Sequence, residues 1–144
     1  MDYREEFLQI WHQHVSRPGS EKLLDWLDSQ QIVYGVATAT YGELAEAALK
    51  RLHVWERLAF LLTEQEAGAP KTQPRIFQLA AQKLHLGRRQ IAVAEDSLHA
   101  LQCARAAGFF TVGVYDAANP AAWQQICATA TVHVHDILEM KQFF

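Results

Sequence analysis

The sequence predicts an α/β domain of three layers, a Rossmann-like, mainly parallel sheet with helices on both faces. Two observations carry that expectation. Five short apolar runs, at residues 32–38, 58–62, 90–94, 109–115 and 131–134, alternate with segments of helical periodicity. The runs are close to continuous in apolar residues rather than alternating, which suits strands covered on both faces, as in a parallel sheet. Strands separated by helices need crossover connections, and crossovers place helices on both sides of the sheet.

Taken in order, residues 2–15 read as an amphipathic helix with Phe7, Ile10, Trp11 and Val15 near one stripe, broken by Arg17-Pro18-Gly19-Ser20. Ser20 is positioned to cap a second helix, in which Leu23, Leu24 and Leu27 form the buried stripe and Trp26 lies beside it. The first apolar run then ends in small hydroxyl residues at Thr38. A helix over 42–52 carries Leu44, Ala48 and Leu52 at four-residue spacing, and another over 74–84 has proline in its first turn. A third over 96–107 is ended by Gly108. Residues 120–128 form the next helix, and a last helical turn closes near Phe144. Residues 64–73, with Gly68 and Pro70, make the longest irregular segment, and long loops at strand carboxyl ends are where such sheets bind ligands.

A chain of 144 residues suits one domain with a real core. The formal charge of -3, without a basic run interleaved with aromatics, argues against nucleic acid as a partner. No apolar stretch reaches bilayer length and residues 1–17 are too charged for a signal peptide, so no membrane is expected and the expected address is the cytoplasm. Cys103 and Cys127 show no C-x-x-C spacing and read as small buried apolar residues.

Chemistry-bearing residues fall at the ends of the strand-like runs. Thr38 could contact an oxyanion with help from the following turn, or could simply cap a helix. Lys71, stiffened between Pro70 and Pro74, could neutralise a phosphate, although most surface lysines do nothing of the kind. Glu95 and Asp96 are adjacent carboxylates at a strand end, suited to magnesium, with a plain helix cap at Asp96 or Ser97 as the alternative. His133 and His135 share a strand face that could bind a metal, but no third ligand is indicated and an edge strand facing solvent accounts for them as well.

In sequence order these segments form a pattern. Pro18-Gly19 with Leu23-Leu24, Gly35-Val36-Ala37-Thr38, Lys71 with Pro74-x-Ile76-Phe77, Glu95-Asp96-Ser97 and Ala106-Ala107-Gly108 resemble the haloacid-dehalogenase-like (HAD) hydrolases. The nearest flavour is the phosphoglucomutase and phosphoglycolate-phosphatase-like branch. The resemblance implies a phosphohydrolase-type core over residues 18–144, preceded by a remnant of the cap helix at 1–17. It implies that Thr38 contacts the transferred phosphoryl group of a small phosphorylated molecule and that Lys71 stabilises the charged intermediate. Glu95 and Asp96 then help hold magnesium.

The sequence departs from the pattern at a decisive place. The family's first strand ends in D-x-D, whose first aspartate attacks phosphorus, and no D-x-D occurs in these residues. The aspartates are Asp2, Asp25, Asp28, Asp96, Asp116 and Asp136, none in that context. Ala100 also stands where the family usually has glycine. The expectation is therefore a phosphatase-type domain that is incomplete or inactive alone; the alternative is a non-catalytic binding or assembly module that keeps the fold. A signalling receiver is a third, looser reading. The missing strand would run centrally, between the strands near Ile32 and Ile91. The gap could close, be filled by the amino-terminal segment, or draw in a second chain as a homodimer or protein partner.

Overall fold

The computed structural model describes residues 19–144. The helix expected over 2–15, the cap remnant at 1–17 and Trp11 lie outside the described residues. The first described helix, α1 (Ser20–Ser29), buries Leu23 and Leu27. Ser20 is not its cap. Gly19 takes that position in the left-handed region at φ 97°, and a Cβ there would lie 2.9 Å from Leu138 Cδ1. Glycine therefore meets a tertiary demand that a local capping rule does not see.

Strand β1 (Val36–Thr38) leads to α2 (Gly42–Arg51), and β2 (Leu61–Thr63) runs directly into the short α3 (Glu64–Ala67). The segment expected to be irregular thus opens with one helical turn. Then follow α4 (Arg75–Leu84), β3 (Ala92–Glu95), α5 (Leu98–Ala106), β4 (Phe110–Val114), α6 (Trp123–Thr129) and β5 (Val132–Val134). A 3-10 segment, Ile137–Phe143, closes the chain, with Asp136 accepting the Leu138 N–H at its start. Phe143 is half-buried in the core beneath α1, whereas the ring of Phe144 is exposed and meets Phe110 edge-on.

All strand pairs are parallel, as the apolar runs predict, and helices cover both faces. On one face Ile76 and Phe77 of α4 pack with Ala100 and Ala104 of α5, joined by Ala37 of β1 and Val93 of β3. On the other, Leu23 and Leu27 of α1 meet Val112, Val114, Val134 and Met140, while Ala45, Ala48 and Leu49 of α2 meet Val36 and Leu61. Arg57 ties this second face together by bonding Asp25 and Asp28 of α1 at 2.9 and 2.6 Å. Burial disfavours its charge, but the hydrogen bonds it donates to Asp28 and Asp25 outweigh that and hold the guanidinium above its ordinary pKa. Cys103 and Cys127 are unpaired and half-buried, and burial pushes both thiols up.

The strands do not form one sheet. Among the described residues β1 pairs with β2 alone, and β3, β4 and β5 pair in that order. Between β1 and β3 lies a slot. The helical cover is also incomplete there, since one face of β3 is exposed at Ala92 and Ala94 although Val112, the register partner of Ala94, is fully buried. Among the described residues no strand pairs with the facing edges of β1 and β3, which are bridged by the α4–α5 core.

Close packing in β4 gives one mutational expectation. A Cβ on Gly113 would lie 2.5 Å from Ile126 Cγ2 of α6 and 3.2 Å from the Ala130 Cβ. Gly113→Ala is expected to lower stability by about 1–3 kcal/mol, the usual cost of overpacking. Chemical unfolding with an unchanged midpoint would show that α6 shifts freely instead.

Candidate functional site

Three strands end in polar residues on the same edge of the fold. Thr38 ends β1 opposite its register partner Thr63, which ends β2, and Glu95 ends β3. Parallel pairing gathers the carboxyl ends within each sheet, and the Lys71–Glu95 contact joins the two sets at the kind of edge where open α/β sheets carry ligands.

Thr38 is buried, and its Oγ1 accepts the Thr40 N–H at 3.1 Å. Accepting there fixes the oxygen and leaves its own O–H as a donor. Thr63 Oγ1 accepts the Glu66 N–H at 3.2 Å and so caps α3. The next residue, Glu64, accepts the Lys71 N–H at 3.4 Å on Oε1. Lys71 in turn reaches across to β3, its Nζ 2.5 Å from Glu95 Oε1. The other oxygen of Glu95 accepts the Ser97 N–H at 3.3 Å, at the start of α5. Asp96 is half-buried beside it and engaged in contacts of its own.

The Lys71–Glu95 pair carries the geometry. Lys71 follows β2 in the two-stranded sheet, whereas Glu95 ends β3 in the three-stranded one. The ion pair therefore closes the carboxyl end of the slot. Both side chains are largely buried, 21% and 9% exposed, so the pair is electrostatically stronger than a surface pair and costly to break on one side only.

Sequence reasoning named Thr38, Lys71, Glu95 and Asp96. It did not name Thr63 or Glu64, although β2 also ends its apolar run in a hydroxyl residue followed by an acid. His133 of β5 and His135, just beyond its end, are both exposed; both rings pack against Trp123 with centroids 5.6 Å away, and His135 also stacks on Tyr115 at 3.9 Å. A groove of about 360 Å³ lies elsewhere, at the amino ends of β1 and β2, lined by Tyr34, Leu58 and the Arg57–Asp28 pair. Its charged residues are those that tie α1 to the sheet.

Magnesium prefers about six oxygens in octahedral array. Both oxygens of Glu95 are engaged by Lys71 and Ser97, and among the described residues no group of three or more His, Cys, Asp or Glu side chains could hold a metal ion. The residues present do not make a magnesium site, so no metal-dependent step is derived from them. No described helix is long and apolar enough to cross a membrane.

Residues 1–114 match the model of a family described as haloacid dehalogenase-like hydrolase. The chain is 28% identical over 127 residues to validoxylamine A 7'-phosphate phosphatase of Streptomyces hygroscopicus subsp. limoneus, covering 88% of this chain and 58% of that protein. It is 28% identical over 130 residues to N-acetylmuramic acid 6-phosphate phosphatase of Pseudomonas aeruginosa, covering 83% and 58%. Among solved structures, a putative beta-phosphoglucomutase from Thermotoga maritima superposes with TM-score 0.78 at 24% identity, over 88% of this chain and 60% of that one. The chain thus spans about 58% of the length of these curated relatives.

Proposed function

The chain belongs to the haloacid dehalogenase-like hydrolases, and from that premise we propose that residues 19–144 form the phosphate-handling core of a phosphomonoester phosphatase that does not complete the reaction by itself. The observation that carries this reading is the Lys71–Glu95 pair at the mouth of a slot whose other rim ends in Thr38. Phosphoryl transfer asks a protein mainly for positioning and charge neutralisation. In this reading the Thr38 hydroxyl donates to a phosphoryl oxygen and the Lys71 ammonium offsets its charge. Glu95 holds Lys71 in place, and Glu64 fixes the backbone of its loop.

The same reading accounts for what the core cannot do. Attack on phosphorus needs a nucleophile, and these residues hold no D-x-D to supply one. In this reading a strand bearing such carboxylates would belong between β1 and β3, which do not pair with each other. The substrate class is a small polyhydroxylated phosphate monoester, in keeping with the substrates named for the curated relatives. A non-catalytic assembly module is the second reading, favoured by the edges of β1 and β3 that pair with no other described strand.

Titration with inorganic phosphate tests the site. Binding is expected, weakened about tenfold or more in Thr38→Val, because a charge-assisted hydrogen bond is worth about 1.5–3 kcal/mol. Phosphate that does not bind, or that binds equally well to the variant, would remove the site and favour the assembly reading.

A further inference from the structure

We infer that the amino edge of the three-stranded sheet is a docking surface for an acidic polypeptide segment, built on Lys83, Leu86, Arg88 and Arg89 and independent of the phosphate site at the other edge. The charge of the chain is unevenly placed. Residues 67–94 hold five of the 13 Lys and Arg and none of the 16 Asp and Glu. That stretch is formally +5, so the rest of a chain whose total is -3 carries -8. Residues 97–115 add Arg105 and again no acid. Glu95 and Asp96, which separate the two stretches, lie at the opposite, carboxyl end of β3. Of the five cations, Lys71 is paired with Glu95 and Arg75 opens α4 at its far end. Lys83, Arg88 and Arg89 remain, where α4 ends and β3 begins.

These three cations are exposed, and none makes a hydrogen bond or ion pair among the described residues, whereas Lys50, Arg57 and Lys71 each have a carboxylate partner. Their backbone is nevertheless fixed. The His85 and Leu86 N–H groups bond back to Gln82 and Ala81 of α4, both at 3.2 Å. A 3-10 turn, Arg88–Gln90, follows, in which Gln90 bonds Gly87 through both its N–H and its Oε1. The Arg88 side chain lies against Gly108, just before β4, where an added Cβ would stand 2.9 Å from its Nε. Arg105, whose carbonyl accepts the Gly108 N–H, bonds Thr131 just before β5 and so adds a further cation along the same edge. Cations held on such a frame lose little freedom when a partner arrives.

The surroundings select the class of partner. Guanidinium groups pair with carboxylates and phosphates alike, so the arginines alone ask only for an anion. The negative charge of the remaining chain repels a long polyanion or an anionic membrane that extends past the patch, and favours a short acidic segment confined to it. Leu86 stands 40% exposed between Lys83 and Arg88 and offers an apolar contact that a phosphodiester backbone does not use. A polypeptide carrying carboxylates around an apolar side chain matches both features, with the charges setting orientation and encounter rate.

Fluorescence anisotropy of a labelled peptide of glutamates with a central leucine, titrated with the full 144-residue protein, tests the inference. Binding is expected that weakens with added salt, and that drops about tenfold or more in Arg88→Glu with Arg89→Glu. Arg89→Glu alone, which leaves the Gly108 contact in place, is expected to lose part of that affinity. Leu86→Ser is expected to weaken the leucine peptide about threefold and to leave an all-glutamate peptide unchanged. Lys22→Glu with Arg51→Glu makes the same change of net charge on the α1–α2 face and is expected to preserve binding. Equal loss in the two double variants would trace the effect to net charge and overturn the surface. So would a peptide that the wild type does not bind. Single-stranded DNA or phosphatidylserine vesicles bound as tightly as the peptide would overturn the assignment to an acidic polypeptide.

Discussion

Replacing Lys71 by alanine is expected to destabilise the protein by roughly 3 kcal/mol at neutral pH, because it leaves a buried carboxylate without its partner. Glu95 is only 9% exposed and Lys71 is 2.5 Å away, so without Lys71 the carboxylate would keep the Ser97 N–H as a donor but lose its counter-charge. The pair also joins the two sheets across the slot, so its loss loosens the carboxyl edge as a whole. Removing both charges together, in Lys71→Met with Glu95→Leu, is expected to recover most of the loss, since burying an ion pair carries its own desolvation cost. Urea unfolding of the single and double variants measures this. A Lys71→Ala protein within about 0.5 kcal/mol of the parent, the range of ordinary surface substitutions, would show that the pair is solvated and not a closure of the slot.

The second large effect concerns assembly. The facing edges of β1 and β3 pair with no other described strand, and Ala92 and Ala94 leave one face of β3 exposed. Covering such surface gains about 25 cal/mol per Å² of apolar area, and each strand edge offers unpaired backbone groups to any added strand. The proposal is that the protein associates, as a homodimer or with another polypeptide. Light scattering at micromolar concentration is expected to give a mass above 16.3 kDa. A clean monomer mass with a cooperative unfolding transition would count against association and mean that the slot is tolerated as it stands.

Much of the architecture was legible because parallel strands and their helices leave long, redundant patterns. The runs at 90–94 and 109–115 lie over β3 and β4, and the stripe of Leu23 and Leu27 marks the buried face of α1. The first run was too long, since of residues 32–38 only Val36–Thr38 lies within the strand paired with the three-residue β2. α3 was illegible because four residues carry no periodicity, and its start depends on Thr63 as a cap. The site residues Thr38, Lys71, Glu95 and Asp96 could be named because each follows an apolar run or sits in a proline-stiffened loop. That Lys71 reaches Glu95 across two sheets, and that Glu64 bonds its backbone, depends on tertiary placement that no spacing encodes.

The central claim is a core that binds a phosphate monoester without turning it over. Phosphorus NMR of the 144-residue protein with glucose 6-phosphate and magnesium reads both halves at once. The account predicts a broadened ester resonance that sharpens in Thr38→Val, and no growing signal of inorganic phosphate. Inorganic phosphate released by the purified protein, and lost in Asp96→Ala, would contradict it and reveal a nucleophile outside the D-x-D pattern.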